Sequence, residues 1–483
     1  MARTRRTAVD KADATPLVID LDGVLIRSDL LVESAFAFLG RRPFEAWRLP
    51  IWLLGGKARL KAELARRTPL SPSILPYDPE VVAIVRAAVD QRPTYLASAS
   101  HETYVAAVAD HLGLFTGWFG SDGITNLAGA AKARRLVEAF GKGGFDYVGD
   151  SAADLKVWGY ARLATATGAA APVRAALLLQ KPDATILPSA PLMAGIRPLI
   201  KLLRPHQWAK NALVFVPLLT AHAFYIGSIG RVCAAFLAFS LCASGVYVLN
   251  DLVDLSADRA HPTKRNRPFA SGAIKLQIGL VLAPVLVIAG FALASALPLT
   301  FVAALALYLA ATCAYSFFLK RKMMIDVVTL AGLYAVRVIG GGAAVGVHIS
   351  EWLLAFAMFI FLALALIKRH SEMTLRVDEG LPDPINRNYR GADLPVLLSL
   401  AGAGGYAAVI VFALYVASPA VHALYHHPKW LYLICPLLLY WISRVLMLSH
   451  RRDLHEDPVV FALRDKVSLA TAVLIGVVAL AAS

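Results

Sequence analysis

The chain has 483 residues, 58% of them hydrophobic, and a mean hydropathy of +0.60. It is too apolar for an ordinary soluble enzyme and too long for a single domain. The formal charge of +15 is accounted for by basic loops beside a membrane and attraction to anionic lipid, so nucleic-acid binding is not expected.

Residues 1–15 form a basic, polar leader, MARTRRTAVDKADA and its neighbour, without the apolar core of a signal peptide. PLVIDLDGVLIRSD follows. Its apolar run Leu17 to Ile19 predicts a buried parallel strand ending at Asp20. Asp20 and Asp22 then stand at the strand's carboxyl end, where open α/β sheets build their sites. One carboxylate can attack phosphorus while the other protonates the leaving group. A strand over 94–97 ends in Ser98-Ala99-Ser100, where a hydroxyl can hold a phosphate oxygen. Lys132 opens a helix after NLAGAA, and YVGDSAAD ends a third strand with Asp150 and Asp154, oxygen ligands suited to Mg²⁺.

In this order, DLDGV, Ser98, Lys132 and GDSAAD resemble the haloacid dehalogenase superfamily of phosphatases over 16–165. The resemblance implies a Rossmann-like α/β domain with a parallel sheet and a helical cap over 28–90. Asp20 would be the nucleophile and Asp22 the acid/base. Ser98 (or Ser100) and Lys132 would bind phosphate, with Asp20 and Asp150 as metal ligands. Residues 166–200, rich in Ala with Pro172, Pro182, Pro188, Pro191 and Pro198, read as a linker containing a short helix.

Residues 201–483 read as an all-α polytopic membrane domain. Charge-free stretches occur at 212–230, 232–250, 276–319 (two helices meeting near Pro298), 324–346, 352–367, 394–418, 430–443 with its flank, and 467–483. At about 20 residues per span, about nine transmembrane helices are expected. Alternate loops carry Arg259 to Lys275, Lys320 to Lys322, Lys368 to Arg390, and Arg451 to Lys466, whereas the others carry little beyond Arg231 and Lys429. This bias predicts a plasma membrane of bacterial type, with the N-terminal domain and both sites cytoplasmic. Cys233, Cys242, Cys313 and Cys435 all fall in predicted spans without CxxC spacing and read as small apolar filler.

Asn250-Asp251-Leu-Val-Asp254-Leu-Ser-Ala-Asp258 places three carboxylates at spacings of three and four, on one helix face. Like charges at the edge of a membrane need a counter-ion, and Mg²⁺ bridging to a diphosphate provides it. Lys264, Arg265 and Arg267 follow at once and can neutralise phosphate oxygens. Lys320, Asp326 and Arg337 form a second polar set. An arginine in mid-span must face a cavity, an anionic ligand or Asp326.

RPHQWAKN (204–211), NDLVDLSAD and YSFFLKR with Asp326 resemble the UbiA superfamily of intramembrane prenyltransferases. HPTKRNRP and IKRHSE (367–372) resemble the branch that makes polyprenyl-phosphate phosphoribose. Members of that branch use phosphoribosyl diphosphate as donor and a polyprenyl phosphate as acceptor. The resemblance implies Mg²⁺ on Asp251, Asp254 and Asp258 beside Asn250. It implies phosphate contacts among Lys210, Lys264, Arg265, Arg267, Lys320, Arg337, Lys368 and Arg369, with Asp326 binding metal or a ribose hydroxyl. The fused phosphatase would then remove the 5-phosphate from the product. Two alternatives stand beside this: an aromatic prenyltransferase using an isoprenyl diphosphate, and a non-enzymatic cation-binding transporter or scaffold.

Overall fold

The computed structural model describes residues 14–187, 196–261, 263–380, 383, 388–454 and 457–483. The leader up to residue 13, Pro188, Pro191, Pro262 and Arg387 lie outside the described residues. Two compact units divide the chain. The first runs to Leu203 and takes in Val248–Leu282; the second comprises Arg204–Tyr247 and Ala283–Ser483.

The first unit is built on a wholly parallel six-stranded sheet. Its strands are β1 (Leu17–Ile19), β2 (Thr94–His101), β3 (Gly117–Ser121), β4 (Asp146–Gly149), β5 (Ala164–Ala166) and β6 (Thr185–Ile186). Their spatial order is β3-β2-β1-β4-β5-β6. Central β1 is buried on both faces, which is why it reads as an unbroken apolar run. Ile19 lies in register with Leu96 of β2 and Val148 of β4, and chain order reverses direction across β1. Ligand sites form at the carboxyl ends of strands flanking such a switch point, here Asp20 after β1 and Asp150 after β4. The helices Leu30–Arg41, Arg48–Leu54, Lys57–Arg67 and Pro79–Val89 fill the stretch between β1 and β2, matching the helical segment expected over 28–90.

Of the stretch expected as a linker with a short helix (166–200), the helix is present, but residues up to 187 belong to the α/β fold, and 188–195 lie outside the described residues. This stretch supplies the end of β5, the helix Ala171–Gln180 and β6, which pairs with β5 through Thr165↔Thr185. Ala164, Ala166 and Ala169 are buried as small core residues, whereas Ala170, Ala171 and Ala175 are exposed. Pro172 sits in the first turn of its helix, where a missing N–H costs nothing.

Residues 248–282 are tied into this unit by a buried pair. Arg259 donates from Nη1 to Glu33 Oε2 at 3.0 Å and from Nη2 to Glu33 Oε1 at 2.7 Å. Its Nε donates to the Ala270 carbonyl at 3.0 Å. Both side chains are under 5% exposed. Arg259→Ala leaves a buried carboxylate without its partner, which costs about 3–5 kcal/mol. A clear drop in the thermal unfolding midpoint of the detergent-solubilised protein is expected; an unchanged midpoint would reassign the pair to the surface.

Among the described residues, seven helices are long and apolar enough to cross a membrane: Ile226–Val253, Leu276–Ala294, Leu299–Phe317, Ile325–Val345, Glu351–Asp378, Gly391–Val416 and Pro428–His450. Lys466–Ala482 is a shorter apolar helix. The predicted break near Pro298 is present, and that proline caps the helix Leu299–Phe317. The expected first span, 212–230, is corrected: it is not a continuous helix. A 3₁₀ segment, Pro205–Phe215, passes into the short helix Val216–Thr220 and a turn at His222 with φ 51°. Pro217 lacks the N–H that a helix running on from residue 212 would need, and buried Lys210 and Asn211 take side-chain partners of their own.

Candidate functional site

The carboxyl ends of β1, β2 and β4 surround a cavity of about 430 Å³. Asp20 ends β1, and its Oδ2 accepts from Lys132 Nζ at 2.8 Å. Lys132 comes from the first turn of the helix Ala130–Phe140 and also donates to Tyr147 Oη at 2.9 Å. Asp154 accepts from Tyr147 Oη at 2.8 Å, Ser151 N at 3.0 Å and Ser151 Oγ at 2.7 Å. Asp22, two residues after Asp20, accepts from Leu30 N at 2.8 Å. Gly23 follows at φ +80°, and a Cβ there would lie 2.5 Å from Asp150 Oδ2. Only glycine lets the chain turn this tightly beside the Asp150 carboxylate.

Ser98, expected to hold phosphate, stands behind Asp22 in this structure. It is fully buried, its Oγ donates to Asp22 Oδ2 at 2.9 Å, and it accepts from Ser100 N at 2.9 Å. Ser100 donates to the same oxygen at 2.6 Å and lines the cavity. β2 runs on through Ser98-Ala99-Ser100 to His101, with a register irregularity against β3 between Ala97 and His101.

Asp20, Asp150 and Asp154 each offer an oxygen within 4.8 Å of the others. Burial pushes Asp20 up to about 8 despite the opposing pull of Lys132. Burial, with Asp154 adding to it, raises Asp150 to about 7. Burial also raises Asp22. Lys132 behaves oppositely: burial works against its charge, but Asp20 and Asp154 outweigh it and hold its pKa above the ordinary value. Lys132 pairs with Asp20 and Asp154 and the part-exposed Lys275 stands beside Asp150; three clustered carboxylates against two lysines leave an excess of negative charge that, with hard oxygen donors, fits a divalent cation such as Mg²⁺.

The second carboxylate set stands where the helix Ile226–Val253 gives way to Leu255–Ala260. The break falls at Asp254, yet Asp254 N still donates to Asn250 O and Asp258 N to Asp254 O, at 2.8 and 2.9 Å. The helical spacing therefore survives. Asp251 and Asp258 are buried and converge on one nitrogen, Arg267 Nη1, at 3.1 and 2.6 Å. Asn250 and Asp254 are half-buried. Burial raises Asp258 against the pull of Arg267. Two buried acidic side chains are thus focused on one cationic point, with Asp254 between them in sequence, and all three are hard oxygen donors of the kind Mg²⁺ takes. Lys264 and Arg265 lie on an exposed turn.

In the second unit the expected cations are buried or half-buried, and most have protein partners. Lys210 and Lys368 both donate to Asp457 Oδ2, at 2.7 and 2.9 Å. Burial opposes ionisation of Asp457, but the two lysines outweigh it and hold the group well below the usual carboxylate range. Asp326 pairs with Arg369 Nη2 at 2.7 Å and accepts from Tyr389 Oη at 2.5 Å. Arg369 also meets Glu372. Arg337 donates to Asn211 Oδ1 at 2.7 Å, the Leu333 carbonyl at 2.5 Å and Tyr308 Oη at 3.1 Å. All three guanidinium nitrogens of Arg337 thus have protein acceptors, which gives it a structural task joining the segments 205–215, 299–317 and 325–345. Lys320 is half-buried on the turn Leu319–Arg321.

Sequence reasoning missed Lys61, whose amine donates to Asn126 Oδ1 at 2.6 Å and lines the cavity. It missed Tyr147 and Asp457, and it read Lys275 only as loop charge. Tyr147 lies on β4 three residues before Asp150, a visible position; nothing in the neighbourhood of Asp457 marks it.

The apolar helices and the acidic helix end define a polytopic helical membrane protein. The model described as the UbiA prenyltransferase family matches residues 212–469, more than half of the chain, and the chain belongs to this family of transferases. It is 38% identical over 460 residues to an uncharacterized protein, y4nM, of Sinorhizobium fredii, covering 94% of this chain and 88% of that one. It is 34% identical over 269 residues to the nodulation protein NoeC of Azorhizobium caulinodans, covering 55% of this chain and 87% of that one. It is 36% identical over 203 residues to decaprenyl-phosphate phosphoribosyltransferase of Mycobacterium tuberculosis, covering 41% of this chain and 66% of that one.

Proposed function

We propose that the membrane domain transfers phosphoribose from phosphoribosyl diphosphate to a polyprenyl phosphate. We further propose that the α/β domain is a phosphatase of the haloacid dehalogenase type that removes the 5-phosphate from the product. One observation carries the choice of donor: among the described residues Asp326 falls in no group of three metal-ligating side chains, and it is paired with Arg369, which also meets Glu372. A lipid diphosphate held through metal calls for such a cluster. A donor with phosphate at both ends calls for cations, and Lys210 and Lys368 stand together on Asp457 Oδ2. Kinship with the decaprenyl-phosphate phosphoribosyltransferase supports the same reading.

In this reading Asp251, Asp254 and Asp258 hold Mg²⁺, and Asn250, Lys264, Arg265 and Arg267 stand beside the donor's diphosphate. When bound, Mg²⁺ supplies positive charge to the departing diphosphate. A lipid phosphate oxygen attacks the anomeric carbon, and the bond from that carbon to the diphosphate oxygen breaks with its electron pair leaving on the diphosphate. The attacking oxygen is already anionic, so no base is required. In the α/β cavity, Asp20 attacks the phosphorus of the monoester and Asp22 gives its proton to the departing alcohol oxygen. Water then cleaves the acyl-phosphate, returning a proton to Asp22. Asp150 and Asp154 complete a Mg²⁺ site with Asp20. The arginine and lysine bias of alternate loops supports a cytoplasmic placement of both sites.

The test is a donor panel on protein in nanodiscs. Phosphoribosyl diphosphate with polyprenyl phosphate should yield a lipid-extractable ribose product in the presence of Mg²⁺. Geranylgeranyl diphosphate with an aromatic acid should yield none. Turnover of the second pair alone assigns the chain to aromatic prenylation; turnover of neither favours a transport or scaffold role.

A further inference from the structure

Four residues lining the α/β cavity, Lys275, Leu276, Gln277 and Ile278, come from neither the sheet nor the helices that follow its strands. Leu276 opens the helix Leu276–Ala294, one of the seven able to cross a membrane. Two of the four are anchored by polar contacts. Lys275 Nζ stands 3.7 Å from Asp150 Oδ2, with its side chain 45% exposed. Gln277 Nε2 donates to Asp29 Oδ2 at 2.8 Å, while Asp29 Oδ1 caps the helix Leu30–Arg41 through Val32 N. On the same side, Arg259 Nη2 donates to Ser28 Oγ at 3.3 Å, and Ser28 lines the cavity too.

We propose that Lys275 and Gln277 are substrate-positioning residues that restrict this cavity to phosphate monoesters carried on a membrane lipid. The inference rests on the phosphatase reading above and names the substrate class of that site.

A membrane-spanning helix enters the bilayer at its interface, so the wall formed by residues 275–278 lies at headgroup depth. A monoester whose alcohol is anchored in the bilayer reaches that wall without leaving the lipid. Buried Leu276 and half-buried Ile278 give the wall an apolar side, and Lys275 gives it a charge.

The other two lysines of the cavity are committed inward. Lys132 is buried against Asp20 and Tyr147. Lys61 donates to Asn126 and to the Ala99 carbonyl. Lys275 is the more exposed cation and stands beside Asp150, so it is placed to meet an anionic headgroup as that group enters. A lipid-linked sugar phosphate offers the linking phosphate and sugar hydroxyls to Lys275 and Gln277. A small soluble monoester offers little beyond the phosphate bound at Asp20.

The experiment uses the full-length chain in nanodiscs with two substrates, polyprenyl-phosphoryl-ribose 5-phosphate and ribose 5-phosphate. Wild type should favour the lipid-linked ester in kcat/KM. Lys275→Ala and Gln277→Ala should each reduce the lipid-to-soluble ratio of kcat/KM by about tenfold, mainly through KM for the lipid. Lys275→Arg should restore most of the ratio. A wild type without preference, or a ratio unmoved by both alanine variants, overturns the positioning role while leaving the phosphatase reading intact. Hydrolysis that survives Asp20→Asn, or no hydrolysis of either substrate by wild type, overturns the phosphatase reading itself.

Discussion

Asp251→Asn is expected to abolish the membrane reaction while leaving the protein folded. Asp251 is buried and shares Arg267 Nη1 with Asp258. The amide keeps the shape of the side chain and leaves Arg267 paired with Asp258, so the helix end has no reason to unwind. What changes is the charge offered to a cation: one of two converging carboxylates becomes neutral and loses most of its affinity for Mg²⁺. Weakening a metal site even through supporting residues costs about 10–100-fold, so loss of a direct ligand should cost at least the upper end of that range. Transfer of labelled phosphoribose into the lipid fraction, followed across a Mg²⁺ titration, reads the effect. Asp254→Asn should act in the same direction. Unimpaired Mg²⁺-dependent turnover in both variants would remove these carboxylates from the metal.

Which features were legible in the sequence follows from how local each signal is. Asp20 and Asp22 were readable because a strand buried on both faces shows an unbroken apolar run, and the residues after it must sit at the sheet's carboxyl edge. The spacing of Asp251, Asp254 and Asp258 was readable because helical periodicity persists through the break at Asp254. The hydrogen bond from Ser98 to Asp22 was not legible, because it joins residues 76 positions apart that meet only in the folded sheet. The stretch from 166 was misread because alanine and proline are both linker residues and, in a tight α/β core, small packing and helix-starting residues. Hydropathy alone carried the first span through 212–230, since it does not register that Pro217 denies a continuous helix its donor. Asp457 was invisible for a different reason. An isolated aspartate gains meaning only from Lys210 and Lys368, which lie far from it in sequence and reach it only in the folded chain.

Asp20→Asn is expected to uncouple the two reactions. The amide lacks the anionic oxygen that forms the acyl-phosphate, so hydrolysis should fall to background. The carboxamide still fills the end of β1 and can accept from Lys132, so the sheet should hold. Nothing in this change touches Asp251, Asp258 or the cations of the second unit, and transfer should continue. The variant should therefore accumulate prenyl-phosphoryl-ribose 5-phosphate where wild type yields the lipid without the terminal phosphate. Mass spectrometry of the extracted lipids separates the two by one phosphate group. If both proteins give the same phosphorylated lipid, the α/β cavity serves another substrate, and the sequence of transfer followed by dephosphorylation in one chain is wrong even though the transferase stands.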